Sequence, residues 1–159
     1  LEFRRVLFRS PPEAAVPTRA IDRLLATYAQ SHRNPTNEWI HIVCVPAIVF
    51  TLIGLLWAVH PYLAIGVVAL SLAYYVSLSP AFMVGMLLMS ASMLVLLAAL
   101  PQGKITSVCA VVFVLAWIGQ FIGHKIEGVK PSFFDDVRYL LIGPLFVLGF
   151  AYRRLGIAW

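Results

Sequence analysis

Residues 39–59 read Trp39-Ile40-His41-Ile42-Val43-Cys44-Val45-Pro46-Ala47-Ile48-Val49-Phe50-Thr51-Leu52-Ile53-Gly54-Leu55-Leu56-Trp57-Ala58-Val59, 21 positions without a Lys, Arg, Asp or Glu. A helix needs about 20 apolar residues to cross a hydrocarbon core about 30 Å thick. His60-Pro61 closes the run, and His60 reads as a turn residue at the far side. Three more apolar runs follow: Tyr62 to Ser79, Ala81 to Leu100 with Pro80 between them, and Ile105 to Gly123 after the turn Pro101-Gln102-Gly103-Lys104. Lys104 is the only Asp, Glu, Lys or Arg between His41 and His124. Lipid supplies no partner for an open backbone, so spanning segments here must be helical. The expected fold is an all-α integral membrane helical bundle with four spanning helices.

Composition agrees. In 159 residues, one domain by length, 61% are hydrophobic and 12% charged, against about 45–50% and about 25% in soluble domains. The net charge of +5 comes with no basic run interleaved with aromatics, which argues against a nucleic-acid partner. Near membrane edges such charge suits anionic headgroups, so the bilayer is the expected partner. Cys44 and Cys109 are isolated in apolar sequence, without zinc spacing or a disulfide framework, and read as small hydrophobes. Nothing in the sequence fixes whether the chain forms a homo-oligomer.

The flanks are less regular. Leu1 to Ser10 reads as a cloning or adapter remnant, its apolar run too brief for a signal peptide. Pro11 to Pro17 reads as a flexible lead. Residues 1–17 are therefore set aside as non-native or flexible, and 18–159 are expected to form a single membrane-embedded helical domain. From Thr18 to Ser31, Ile21, Leu24, Leu25 and Tyr28 recur at i, i+3, i+4, i+7, the pattern of an amphipathic helix. Its expected place is the membrane surface, with packing on the bundle as the alternative. Tyr139 to Ala151 is apolar but short, with Gly143-Pro144 inside it. It reads as a short broken span or a re-entrant segment. The incomplete crossing is preferred because it leaves Arg153 and Arg154 beside the other basic residues. Asp136, with Asp135 and Ser132, is expected to cap that last segment.

Two polar clusters bracket the apolar block: His32-Arg33-Asn34-Pro35-Thr36-Asn37-Glu38-Trp39-Ile40-His41 and Gln120-Phe121-Ile122-Gly123-His124-Lys125-Ile126-Glu127. Four crossings separate them, and an even number returns the chain to the side it left. Both clusters must therefore face one leaflet, and Arg19, Arg23, Arg33, Lys125, Lys130 and Arg138 mark that leaflet as cytoplasmic. Gln120, His124 and Glu127 share a helical face at i, i+4, i+7, as do Asn37 and His41 at i, i+4. Three imidazoles, a carboxylate and three amides (Asn34, Asn37, Gln120) thus converge. Imidazole with carboxylate is a ligand set suited to iron or zinc, with amides orienting the rings. Each residue alone reads more simply as an interfacial cap or a snorkelling charge. Together, ionisable groups at membrane depth point to function. No His-Glu-x-x-His, Gly-x-Ser-x-Gly, phosphate-binding glycine loop or set of three His-rich boxes is present.

The first cluster with His41-Ile42-Val43-Cys44-Val45-Pro46, followed by Ile122-Gly123-His124, Glu127 and Pro131, resembles the Mpo1-like family over nearly the whole chain after residue 18. The resemblance implies a small multi-pass membrane protein and an Fe(2+)-dependent dioxygenase. The implied reaction is α-oxidation of 2-hydroxy fatty acids with O2, giving fatty acids one carbon shorter. It implies His32, His41 and His124 as iron ligands, Glu127 and Asn37 as catalytic residues and Asn34 toward substrate; Gln120, on the face of His124, is expected toward substrate as well. The implied location is a bacterial inner membrane or the endoplasmic reticulum. Two other readings use the same residues: a metal-dependent membrane hydrolase of lipids, and a non-enzymatic multi-pass protein whose polar clusters are structural.

Overall fold

The computed structural model describes residues 19–131, 134, 136 and 138–159. The lead 1–17 and the expected caps Ser132 and Asp135 lie outside the described residues. Within them the chain forms six helices and no strand: α1 (Ala20–Ala29), α2 (Pro35–Val59), α3 (Pro61–Leu78), α4 (Pro80–Ala99), α5 (Gln102–Glu127) and α6 (Tyr139–Leu155). The four helices α2 to α5 are long and apolar enough to cross a membrane. Their outer faces are apolar too: Leu70 and Val95 are 73% and 71% exposed, which lipid tolerates and water does not. The chain is an all-α membrane helical bundle.

Local chemistry sets the helix ends. Proline opens α2, α3 and α4, where its missing N–H would have no partner in any case. The residue before each proline caps the helix. Asn34 Oδ1 accepts from the Thr36 N–H at 2.9 Å, His60 Nδ1 from the Tyr62 N–H at 3.3 Å, and Ser79 Oγ from the Phe82 N–H at 3.5 Å. His60 is thus the turn residue that the sequence suggests. The Asn34-Pro35 start places the beginning of α2 four residues before the apolar run. Glu127 is the last residue of α5, four beyond the expected end, and Gly128 at φ 77° closes the helix in the left-handed region that favours glycine.

α2 and α5 form a close antiparallel pair, bringing the two polar clusters to one end. Small residues let the backbones approach. A Cβ on Gly119 would come within 2.7 Å of Cys44 Sγ, and one on Gly54 would overlap Cys109 Sγ. Both cysteines are free and fill these gaps as small apolar groups. Gly119→Leu is expected to force the pair apart and to cost about 1–3 kcal/mol by overpacking, read as a lower thermal midpoint in detergent. An unchanged midpoint would show that the pair does not depend on this approach.

The bundle has two apolar cores. One lies in the half away from the clusters and joins Ile53, Ala64, Val68, Leu97, Ile105 and Cys109. The other lies at the cluster end and joins Ile21 and Tyr28 of α1 with Tyr75, Phe82, Ile142 and Phe146. Ile21, Leu24, Leu25 and Tyr28 all pack into this second core. The apolar face of α1 therefore packs on the bundle, as the alternative reading of this amphipathic helix expects.

α6 differs from expectation, because it is one unbroken helix of 17 residues despite Pro144. At about 1.5 Å per residue it is about 25 Å long, short of the core thickness. Tyr75 Oη donates to the Leu141 carbonyl at 3.0 Å, and Tyr152 Oη to the Ala81 carbonyl at 2.8 Å. Tyr75 and Ala81 flank the Ser79-Pro80 turn, so α6 is tied to the end of α3 and the start of α4. Arg154 sits 5.7 Å above the Trp39 ring, at the end where α2 begins. The last helix stays on the cluster side, as the incomplete crossing requires. Before it, Asp136 Oδ1 accepts from the Arg138 N–H at 2.9 Å, a local turn ahead of the helix; Arg138 is the N-cap of α6 and no described side chain caps it, which corrects the capping expected of Asp136.

Candidate metal centre

His41 lies on the second turn of α2, His124 on the last turn of α5, and His32 on the short connection from α1 to α2. All three are buried, at 1%, 5% and 2% exposure. Their ring centroids are 4.2 Å (His32–His41), 4.9 Å (His41–His124) and 5.1 Å (His32–His124) apart, with the planes at 74–90° to one another. One ring nitrogen from each lies within 4.8 Å of the other two.

In two of the rings the remaining nitrogen is held by the backbone. His32 Nδ1 sits 2.7 Å from the Tyr28 carbonyl, and His41 Nδ1 sits 2.9 Å from the Asn37 carbonyl. A carbonyl can only accept, so both rings carry their proton on Nδ1 and leave Nε2 as a lone pair. His32 Nε2, His41 Nε2 and His124 Nδ1 are buried with no partner among the described residues. Burial holds the His32 ring neutral by lowering its pKa to about 4. An unsatisfied buried polar atom costs about 1–3 kcal/mol. Three such nitrogens directed at one another could hold a metal ion. Imidazoles oriented by backbone carbonyls, as His32 and His41 are, fit a divalent transition ion such as iron or zinc.

His32 is brought to the other two by its neighbours. Its ring stacks on Tyr28 at 4.1 Å and 12° and touches Phe146 at 5.4 Å. The two residues after it are tied to α5: Glu127 accepts from the Arg33 N–H and the Asn34 N–H, each at 2.9 Å, and from Asn37 Nδ2 at 3.1 Å. The Glu127 carboxylate, expected among the catalytic groups, forms a clamp between α5 and the start of α2. Among the described residues the ligand group consists of the three histidines alone. Asn37 has two tasks, since its carbonyl orients His41 and its amide joins the clamp. Its Oδ1 lies against Gly123, where a Cβ would overlap it. Asn34, expected toward substrate, spends its side chain on capping α2. Gln120 Nε2 is buried without a partner and lines a cavity of about 70 Å3 with His124 and Tyr28. It therefore faces a space beside the histidines. Sequence reasoning missed Tyr28, whose spacing of i, i+4 before His32 was its only signal, and Phe146, which no local pattern reveals.

A membrane helical bundle with a buried three-histidine pocket at one leaflet is the class that this fold and site define. Residues 18–155 match the family described as 2-hydroxy-palmitic acid dioxygenase Mpo1-like, and the chain belongs to that family. It is 30% identical over 130 residues to the 2-hydroxy-palmitic acid dioxygenase MPO1 of Saccharomyces cerevisiae, covering 78% of this chain and 75% of the yeast protein. No solved structure matches the chain.

Proposed function

We propose that the protein is an iron(II)-dependent dioxygenase that converts 2-hydroxy fatty acids into fatty acids one carbon shorter. The observation that supports this reading most is the set of three unpartnered ring nitrogens, in a chain whose yeast relative is named for oxygenation of 2-hydroxy-palmitic acid. With C1 released as CO2, the conversion balances as 2-hydroxy acid plus O2 giving the shorter acid, CO2 and water. The C1–C2 bond breaks and C2 is oxidised from the alcohol to the acid level. His32, His41 and His124 would hold the ion. Bound Fe(II) supplies a Lewis acid with open positions for an oxygen-donor substrate and for O2.

The chain's own residues have separable roles. The Tyr28 and Asn37 carbonyls keep the imidazole lone pairs directed inward. Glu127 keeps the His32 connection closed. Gln120 offers an N–H to an oxygen of the substrate head. Tyr28 and Phe146 wall the pocket from water. Arg19, Arg33 and Lys125 at this end support, by the positive-inside rule, a reading in which the site faces the cytoplasmic leaflet of a bacterial inner membrane or the endoplasmic reticulum, where the acid head of an amphiphile would rest.

Purified protein is expected to carry close to one iron per chain and to consume O2 with 2-hydroxypalmitate, releasing pentadecanoic acid. Metal-free protein of intact fold, or turnover without O2, would overturn the reading. Zinc with oxygen-independent ester cleavage would favour the hydrolase.

A further inference from the structure

Beneath the first turn of α6 a groove of about 370 Å3 runs between α2, α3 and α4, within the range of about 300–1,000 Å3 common for small-molecule sites. Toward the far side it is walled by Leu56 and Val67. Its near end is walled by Val49, Leu52 and Leu140, which also wall the cavity beside Gln120 and His124. The two spaces therefore meet at these three side chains. The geometry points to this groove as the seat of the substrate's alkyl chain, with Leu140 the residue over which the chain passes from the histidine pocket. This assignment rests on the oxygenase reading above.

Three observations favour an acyl chain as the occupant. The walls are mostly apolar, and most of the polar side chains on them are already engaged: Ser71 donates to the Val67 carbonyl at 2.9 Å, Tyr75 to the Leu141 carbonyl at 3.0 Å, and Arg138 pairs with Asp136, with Ser90 the remaining one. From the level of His41 to that of Leu56 is 15 residues of α2, about 22 Å at about 1.5 Å per residue. One leaflet's share of the core, and hence one lipid chain, is about 15 Å. Leu52, Val67 and Leu140 are 43%, 39% and 41% exposed, so the groove opens sideways on a surface that meets lipid. An amphiphile can slide in from the leaflet with its head at interface depth and its chain never in water.

The test pairs a chain-length profile with a labelling readout that needs no turnover. A 2-hydroxy C16 acid with a diazirine near its methyl end is photolysed with the full-length protein in nanodiscs. Adducts are expected at 67–71 of α3 and 86–90 of α4, and excess unlabelled acid should suppress them. In turnover, Val67→Trp shortens the groove and is expected to lower the C16-to-C8 ratio of kcat/KM at least about tenfold, the size of a few lost methylene contacts. Leu140→Trp narrows the junction and serves if Val67→Trp fails to fold. Val111→Trp, on an exposed face of α5 away from the groove, keeps the wild-type ratio. Adducts spread over lipid-facing α5 without competition, or an unchanged ratio in both groove variants, would overturn the assignment. Competed groove adducts without any oxidation would instead count against the oxygenase reading and leave the groove standing.

Discussion

Alanine in place of His41 is expected to give a folded protein that has lost iron and O2 uptake together, with iron affinity lowered by more than about 100-fold. Loss of an outer-shell partner alone typically costs 10–100-fold, and removal of a ligand exceeds that. The sign of the stability change discriminates the readings. In the metal-free wild type, His41 Nε2 is a buried atom without a partner, so its ring is a poor structural investment. The His41→Ala apo-protein should melt close to the wild-type apo-protein. Iron at about 100 times its Kd should stabilise the wild type by about 2.7 kcal/mol and leave the variant unmoved. If the histidines served only packing, His41→Ala would lower apo stability by the about 2–5 kcal/mol usual for a large-to-small core change, and iron would not raise either midpoint. His32→Ala and His124→Ala should follow the same pattern, since the three nitrogens act as one group.

The spans, the parity of crossings and the shared face of Gln120, His124 and Glu127 were legible in the sequence because hydropathy and helical period are local properties. Convergence of the two clusters on one leaflet followed from counting alone. Contacts of long sequence separation were not legible. Glu127 meets Arg33 and Asn34 across 94 and 93 positions, and nothing local says that its carboxylate seeks backbone N–H groups rather than an ion. The packing of α1 was open for the same reason, since an apolar face at i, i+3, i+4, i+7 suits lipid and protein equally. Asn34 is different: Asn before Pro at a helix start is a strong capping signal, and the capping bond to the Thr36 N–H was legible from it. The Gly54–Cys109 and Gly119–Cys44 contacts were hidden because isolated glycines and cysteines in apolar sequence announce no partner.

Glu127→Gln is expected to lower iron affinity about 10–100-fold, the range for losing an orienting partner, while turnover per bound iron stays close to wild type. The carboxylate is acceptor-only and faces three donors. Arg33 N–H bonds one oxygen; Asn34 N–H and Asn37 Nδ2 bond the other. Glutamine must turn its NH2 toward one of these sides, so at least one backbone N–H meets a donor in place of an acceptor. The connection that carries His32 then loosens, and the ion loses a ligand held in place beforehand. Gly123→Ala should act in the same direction, because its Cβ overlaps Asn37 Oδ1 and displaces the third donor. A carboxylate that moves protons during turnover would behave otherwise: Glu127→Gln would retain its iron, and kcat would fall. Iron titration followed by single-turnover kinetics at saturating iron separates the two. A clamp loses occupancy that added iron restores, whereas a proton-transfer group loses a rate that no amount of iron recovers.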